Sequence, residues 1–219
     1  MNVLIALSSC ERDERLGLNR PARETWLHEA VSLGLDYKFF HGRGASPQGD
    51  VIVVDAPDDY PGLTYKTQEK LKWAMTHGYE SVFVGFNDTY ARPERLLERI
   101  ALGHDYYGNV YTHPEFGRYC QGGVGYLLNK RAVSAVNSDT DTPYNPSEDA
   151  WVGKALLRAG IEPVTTGDFV GTGQYWDHHE DPPLKTNKVV TCHLSYLTTN
   201  LRFRPDHMYD VHNRWLRSA

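Results

Sequence analysis

Cysteine is scarce in this chain. Its three copies, Cys10, Cys120 and Cys192, lie far apart and lack the close spacing of a metal cluster. An odd, sparse set argues against a disulfide framework and for a reducing compartment. Long hydrophobic runs are also missing. The opening stretch Asn2-Val3-Leu4-Ile5-Ala6-Leu7 has no basic leader and is too short for a signal sequence or a bilayer span, so it reads as a first buried strand. Nothing later approaches a span, and the expected location is the cytoplasm, with no membrane partner. Nor is there an excess of positive charge. Lys and Arg number 23 against 28 Asp and Glu, a net charge of −5, which removes the electrostatic case for nucleic acid or an anionic membrane. Repeats, low-complexity tracts and linkers are absent, so the 219 residues are read as one domain.

What is present is an ordinary soluble composition, 40% hydrophobic and 23% charged, with ten His and 12% aromatics. That enrichment suits a site that handles metals or stacks on planar or sugar rings. Strand-like and helix-like segments alternate. After the first strand comes a polar loop from Ser8 to Asn19, then a helix from about Pro21 to Leu33. Tyr37 to His41 and Val51 to Asp55 read as strands, the latter apolar enough to be buried on both faces. A helix is predicted over Leu63 to His77, a strand over Ser81 to Phe86, and a short helix over Pro93 to Leu102. Strands are expected at Asp105 to Tyr111, Gly122 to Leu128, Glu162 to Thr166 and Val189 to Cys192, with a last helix from about Asp206 to Leu216. This order implies an α/β domain with a mostly parallel sheet flanked by helices and ligands at the carboxyl ends of its strands.

The stretch Asn145-Pro146-Ser147-Glu148-Asp149 opens a further helix reaching Ala159. Asn145 suits the N-cap, Pro146 the first position, and Glu148 the third, where it can reach back to the cap. Asp149 has no such local job, although any acid in a first turn gains from the helix dipole. At the predicted strand ends stand Ser8 and Ser9, Asp55, Asn87 and Asp88, and His193. An acid and a His from neighbouring strands can hold a divalent cation. Gly122-Gly123-x-Gly125 is not a phosphate loop by order and instead lets backbone approach a ligand closely. Spacing alone leads to an α/β enzyme with an acidic site, metal-assisted or not.

Five blocks, in order, resemble the β-1,3-glycosyltransferases of glycosyltransferase family 31. Arg20 to Trp26 resembles R-x-x-I-R-x-T-W, and Asp58 to Thr67 resembles D-x-Y-x-N-L-T-x-K-T. Phe86-Asn87-Asp88-Thr89-Tyr90 takes the place of D-D-D-T-Y/F. Tyr119 to Tyr126 resembles Y-x-x-G-x-G-Y, and Glu148 to Gly153 resembles E-D-V-Y-x-G. The blocks span about residues 1 to 160, and the later match is confined to His193.

The resemblance implies a GT-A fold that binds a UDP-sugar with Mn²⁺ (or Mg²⁺) and transfers the sugar to a glycan or glycoconjugate with inversion. It implies a nucleotide-sugar half at about 1–110 and an acceptor half at about 111–219. By position, Asp149 is the general base, and Asp88 and His193 are the metal ligands, with His178 and His179 as rivals. Ser8, Arg23, Asp55, Lys66 and Asn87 would surround the nucleotide, and Gly122 and Gly123 the donor sugar. The residue types suit the chemistry: a carboxylate takes the acceptor's proton as it attacks, and a cation offsets charge on departing UDP. Two departures stand out. The first acid of D-x-D is Phe86 and the middle residue Asn87, which leaves a non-catalytic sugar-nucleotide binder as an alternative. The anchor, stem and disulfides usual in eukaryotic members are not seen, so a microbial or viral cytosolic enzyme is expected. A second alternative places the acceptor on a hydroxymethylated DNA base, through Arg202, Phe203, Arg204, Arg214, Trp215 and Arg217; the net negative charge opposes it.

Overall fold

The computed structural model describes residues 2–141, 147–165, 167–170, 189–194 and 205–216, without the side chains of 170 and 214–216. The first half holds β1 (Val3–Ser8), α1 (Glu11–Arg15), α2 (Arg20–Glu24), α3 (Trp26–Ser32), β2 (Asp36–His41), β3 (Val51–Val53), α4 (Leu63–Thr76), β4 (Ser81–Phe86), β5 (Thr89–Ala91) and α5 (Pro93–Ala101). The second holds β6 (Tyr106–Gly108), β7 (Val110–His113), β8 (Gly117–Cys120), β9 (Tyr126–Asn129), α6 (Lys130–Ser138), α7 (Glu148–Arg158), β10 (Phe169–Val170), β11 (Thr191–His193) and α8 (Pro205–Leu216).

The main sheet runs β3-β2-β1-β4-β9-β6. β1 is parallel to β2 and β4, β2 is parallel to β3, and β9 is antiparallel to β4 and β6. This is the mostly parallel sheet expected from the β-α alternation. Successive residues of β1 point to opposite faces. Val3, Ile5 and Leu7 join Trp26, Leu27, Phe83 and, from α8, Met208 and Val211. Leu4 and Ala6 join Leu71 and Ala74 of α4 with Val133 of α6 and Val152 and Leu156 of α7. Each fully buried side chain of this kind is worth roughly 1.5–3 kcal/mol, so a strand buried on both faces reads as an unbroken apolar run.

Strand register decides what meets at the carboxyl edge. Ser8, the last residue of β1, is opposite Phe40 on one side and Phe86 on the other. Because β9 runs antiparallel to β4, the glycine turn that precedes it lies at that same edge. Beyond β4 the chain turns at Asn87-Asp88 into β5, which pairs antiparallel with β11 and sets His193 opposite Thr89.

Several predicted elements differ in detail. Val51–Val53 is an edge strand with Ile52 and Val53 half-buried, so it is not covered on both faces. The helix predicted from Pro21 to Leu33 breaks at Thr25 (φ −116°, ψ −113°), whose hydroxyl donates back to the Pro21 carbonyl at 2.6 Å. The supposed loop after β1 contains α1. Gly122 to Gly125 is a turn closed by Gly125 N–H to the Gly122 carbonyl at 2.8 Å, and β9 starts only at Tyr126. At φ +78°, Gly125 has room for no Cβ, which would lie 2.3 Å from the Phe83 ring. The strand expected over Asp105 to Tyr111 divides into β6 and β7, and that over Glu162 to Thr166 reduces to one bridge between Val164 and Tyr107. Asn145, Pro146 and Thr166 lie outside the described residues.

Candidate functional site

Asp88 and His193, 105 residues apart in sequence, meet at the carboxyl edge: His193 Nε2 is 3.0 Å from Asp88 Oδ2. Both side chains are mostly buried, with 14% of their surface exposed. The contact is built by backbone pairing, since β11 is registered on β5 and Leu194 N–H donates to the Asp88 carbonyl at 2.9 Å. Thr89 braces the turn by accepting from Phe86 N–H and donating to the Gly123 carbonyl, both at 3.0 Å.

Gly123 and Gly122 continue the site from there. A Cβ on Gly123 would stand 2.9 Å from His193 Nδ1, and one on Gly122 would stand 2.6 Å from Glu148 Oε1 and 3.5 Å from Asp149 Cβ. The absence of side chains at both positions lets the turn fit between the Asp88–His193 pair and the start of α7. Gly122 N–H donates to Asp149 Oδ2 at 2.8 Å. Asp149 Oδ1 accepts from Ala150 N–H at 2.8 Å and from the Ser147 hydroxyl. Among the described residues three donors thus fix the carboxylate, one of them on Oδ2, which can accept a second.

Glu148 is not the cap that the sequence suggests. α7 starts at Glu148 with Ser147 as its N-cap, and the Glu148 side chain turns inward, where it is buried and accepts from the Tyr126 hydroxyl at 2.9 Å. Burial pushes its carboxyl up to about 7, against the pull of Lys70; Asp149 adds to the rise. Lys70 is a residue that sequence reasoning missed. It is buried on α4, its ammonium donates to Ser8 Oγ at 2.8 Å, and burial pushes its pKa down to about 8. The available signal was its place one turn after Lys66, beside the core positions Thr67, Leu71 and Ala74.

The other predicted residues divide into two groups. Ser8, Lys66 and Asn87 join the edge. Lys66 Nζ donates to the Ser9 carbonyl at 2.6 Å and to Asp58 Oδ1 at 2.8 Å. Asn87 donates to Asp13 at 3.1 Å and Asn19 at 3.0 Å, and its backbone N–H reaches the Ser8 carbonyl at 3.3 Å. Arg23 is engaged by Glu14 (2.7 Å) and Asp50 (2.8 Å), with its guanidinium over the Phe39 ring. Among the described residues Arg23 is linked to the edge through Glu14 and Asn19, which accepts from Asn87. Asp55 stands apart: it follows the edge strand β3, is 80% exposed, and pairs with Arg43. His178, His179, Arg202, Phe203, Arg204, Arg217 and the side chains of Arg214 and Trp215 lie outside the described residues.

Among the described residues no three His, Cys, Asp or Glu side chains form a metal-holding group. Asp88 and His193 are nevertheless residue types that suit a divalent ion, and an acid oxygen and an imidazole nitrogen converge there.

The chain superposes on a solved glycosyltransferase involved in the glycosylation of the major capsid of PBCV-1, with a TM-score of 0.56 over 96% of this chain and 100% of that chain. The fold is GT-A. At 12% identity that likeness speaks to architecture alone. In sequence, the chain is similar to two human proteins. Chondroitin sulfate glucuronyltransferase is 28% identical over 134 residues, 54% of this chain. Chondroitin sulfate synthase 2 is 29% identical over 138 residues, 58% of this chain. The match spans 17% of the length of either relative. No protein-family model matches the chain. Among the described residues, no helix is long and apolar enough to cross a membrane.

Proposed function

We propose that this GT-A domain transfers a sugar from a UDP-sugar to a hydroxyl of a glycan or glycoconjugate with inversion, in keeping with its resemblance to family 31. One observation carries the reading. The Gly122-Gly123 turn touches the proposed base on one side, through Gly122 N–H to Asp149, and His193 of the Asp88–His193 pair on the other. A carboxylate and an acid–imidazole pair on either side of one short turn suit a reaction that removes a proton at one end of the bond change and stabilises negative charge at the other.

In this reading Asp149 Oδ2 takes the proton of the acceptor hydroxyl as its oxygen bonds to the anomeric carbon. The bond from that carbon to the diphosphate oxygen breaks, and its electron pair leaves with UDP. Asp88 and His193 would hold Mn²⁺ or Mg²⁺, whose chemistry is to offset charge on the leaving diphosphate. Gly122 and the Ser147 hydroxyl keep Asp149 oriented. Phe86 in the place of an acid leaves Asp88 as the carboxylate of that motif.

The test is to incubate the protein with a panel of UDP-sugars, glycan acceptors and Mn²⁺, and to follow UDP release and the anomeric configuration of the product. The expected result is acceptor-dependent UDP release and a β-linkage from an α-linked donor. A protein that binds UDP and never releases it from any donor is a binder, and the reading as an enzyme is then wrong.

A further inference from the structure

α4 sends two buried lysines to the end of β1, and they meet different fates. Lys66 is neutralised in place by Asp58, which also accepts from Glu11 N–H at 2.8 Å and Gly42 N–H at 2.5 Å. Lys70, one turn further on and fully buried, has Ser8 Oγ as its acceptor and forms no ion pair among the described residues. Glu148 acts on it through space, Lys66 opposes its charge, and the Phe86 ring lies 6.0 Å from its nitrogen. A buried ammonium with one hydrogen bond and no counter-ion in contact is a costly feature for a fold to keep.

We propose that Lys70 is a positioning residue for the donor's diphosphate, lending its positive charge to the phosphates through Ser8. The inference rests on the glycosyltransferase reading above. An ammonium can only donate, so the Ser8 oxygen accepts from Lys70 and keeps its own hydrogen to give. No described acceptor takes that hydrogen. Ser8, itself buried, is the last residue of β1 and is registered against Phe86, two residues before Asp88, which sets it at the edge where a diphosphate held from Asp88 would lie. The polarised hydroxyl donates to a phosphate oxygen, and the charge behind it acts on the same oxygen in a site shielded from water. Phe86 has a part here as well. A carboxylate at that position would pair with Lys70 and cancel its charge, whereas an aromatic ring leaves it for the ligand. The anion in turn supplies the counter-charge that the described residues do not bring into contact.

The test compares binding of UDP and of uridine, which lacks phosphate, to wild type, Lys70→Met, Lys70→Arg and Ser8→Ala by calorimetry in Mn²⁺. Lys70→Met should weaken UDP about tenfold or more and leave uridine unchanged. Lys70→Arg should retain most of the UDP affinity, and Ser8→Ala should show a loss confined to UDP. Equal weakening of UDP and uridine marks a merely structural lysine and overturns the inference, as does unchanged UDP binding by Lys70→Met. Should Lys70→Met fail to fold, Ser8→Ala decides alone, and an unaltered ratio of UDP to uridine affinity overturns the inference. Absence of any UDP binding by the wild type is a separate result that removes the donor reading itself, and this inference with it.

Discussion

Gly123→Ala distinguishes a lesion of the site from a lesion of the fold. The added methyl would lie 2.9 Å from Nδ1 and 3.0 Å from Cε1 of His193, and ordinary contact begins at 3.4 Å. The imidazole must therefore withdraw by about 0.5 Å, the difference between 3.4 and 2.9. Its far nitrogen is the one that sits 3.0 Å from Asp88. Disturbing the group that orients a metal ligand costs about 10- to 100-fold in metal affinity, so this shift should weaken UDP binding in Mn²⁺ by about tenfold. Stability should behave differently. The backbone of Gly123 is outside the left-handed region, so alanine can adopt it, and the stiffer unfolded chain contributes about 0.4–1 kcal/mol towards the fold. That gain offsets much of the local crowding and leaves Tm close to wild type. Calorimetric titration with UDP in Mn²⁺, beside a thermal melt, reads both quantities. Wild-type affinity at unchanged Tm would refute the reasoning, because the ring would then have room that the structure denies it. A parallel fall of affinity and Tm would refute it too.

Three further outcomes follow from burial. Lys66→Met leaves the Asp58 carboxylate without its buried partner and should cost about 3–5 kcal/mol in urea unfolding. Gly153→Ala puts a methyl 2.3 Å from Tyr119 Cβ and 3.2 Å from its Cα. It should destabilise by about 1–3 kcal/mol in the same assay, although alanine is the better helix former. Glu148 holds a proton in the fold that the unfolded chain has lost between its ordinary 4.5 and about 7, so its contribution to stability falls as pH rises through that window. Glu148→Gln should flatten the dependence of Tm on pH across it; a profile as steep as wild type would mean that another group is responsible.

Much of the sheet was legible because β1 and β4 are apolar on both faces and α4 repeats its core residues at helical spacing. Strand-end placement made Asp88 and His193 candidates, but only the family resemblance paired them, since no local pattern links residues 105 positions apart. Glu148 and Lys70 show what was not legible. Beside a helix start, a glutamate looks like a cap, and only the packing of α7 against α4 and β9 turns it inward. A lysine on a half-polar helix looks solvated until the end of β1 is placed over it. Asp55 shows the reverse: a strand-end acid by sequence, it lies past the end of the edge strand β3 and faces water. α1 escaped notice because its five residues are all charged and none is buried, so no periodicity marks it. Thr25 broke a helix that the apolar spacing carried straight through.

The proposed transfer depends most on Asp149 acting as a base and not as an anchor for the glycine turn. Asparagine at that position keeps an oxygen for Gly122 N–H and cannot take a proton at neutral pH. Turnover by Asp149→Asn, measured at saturating UDP-sugar and acceptor alongside its UDP affinity, should fall by about 10²–10⁴-fold with UDP affinity within about threefold of wild type. Turnover close to wild type, with UDP still bound, would contradict the account.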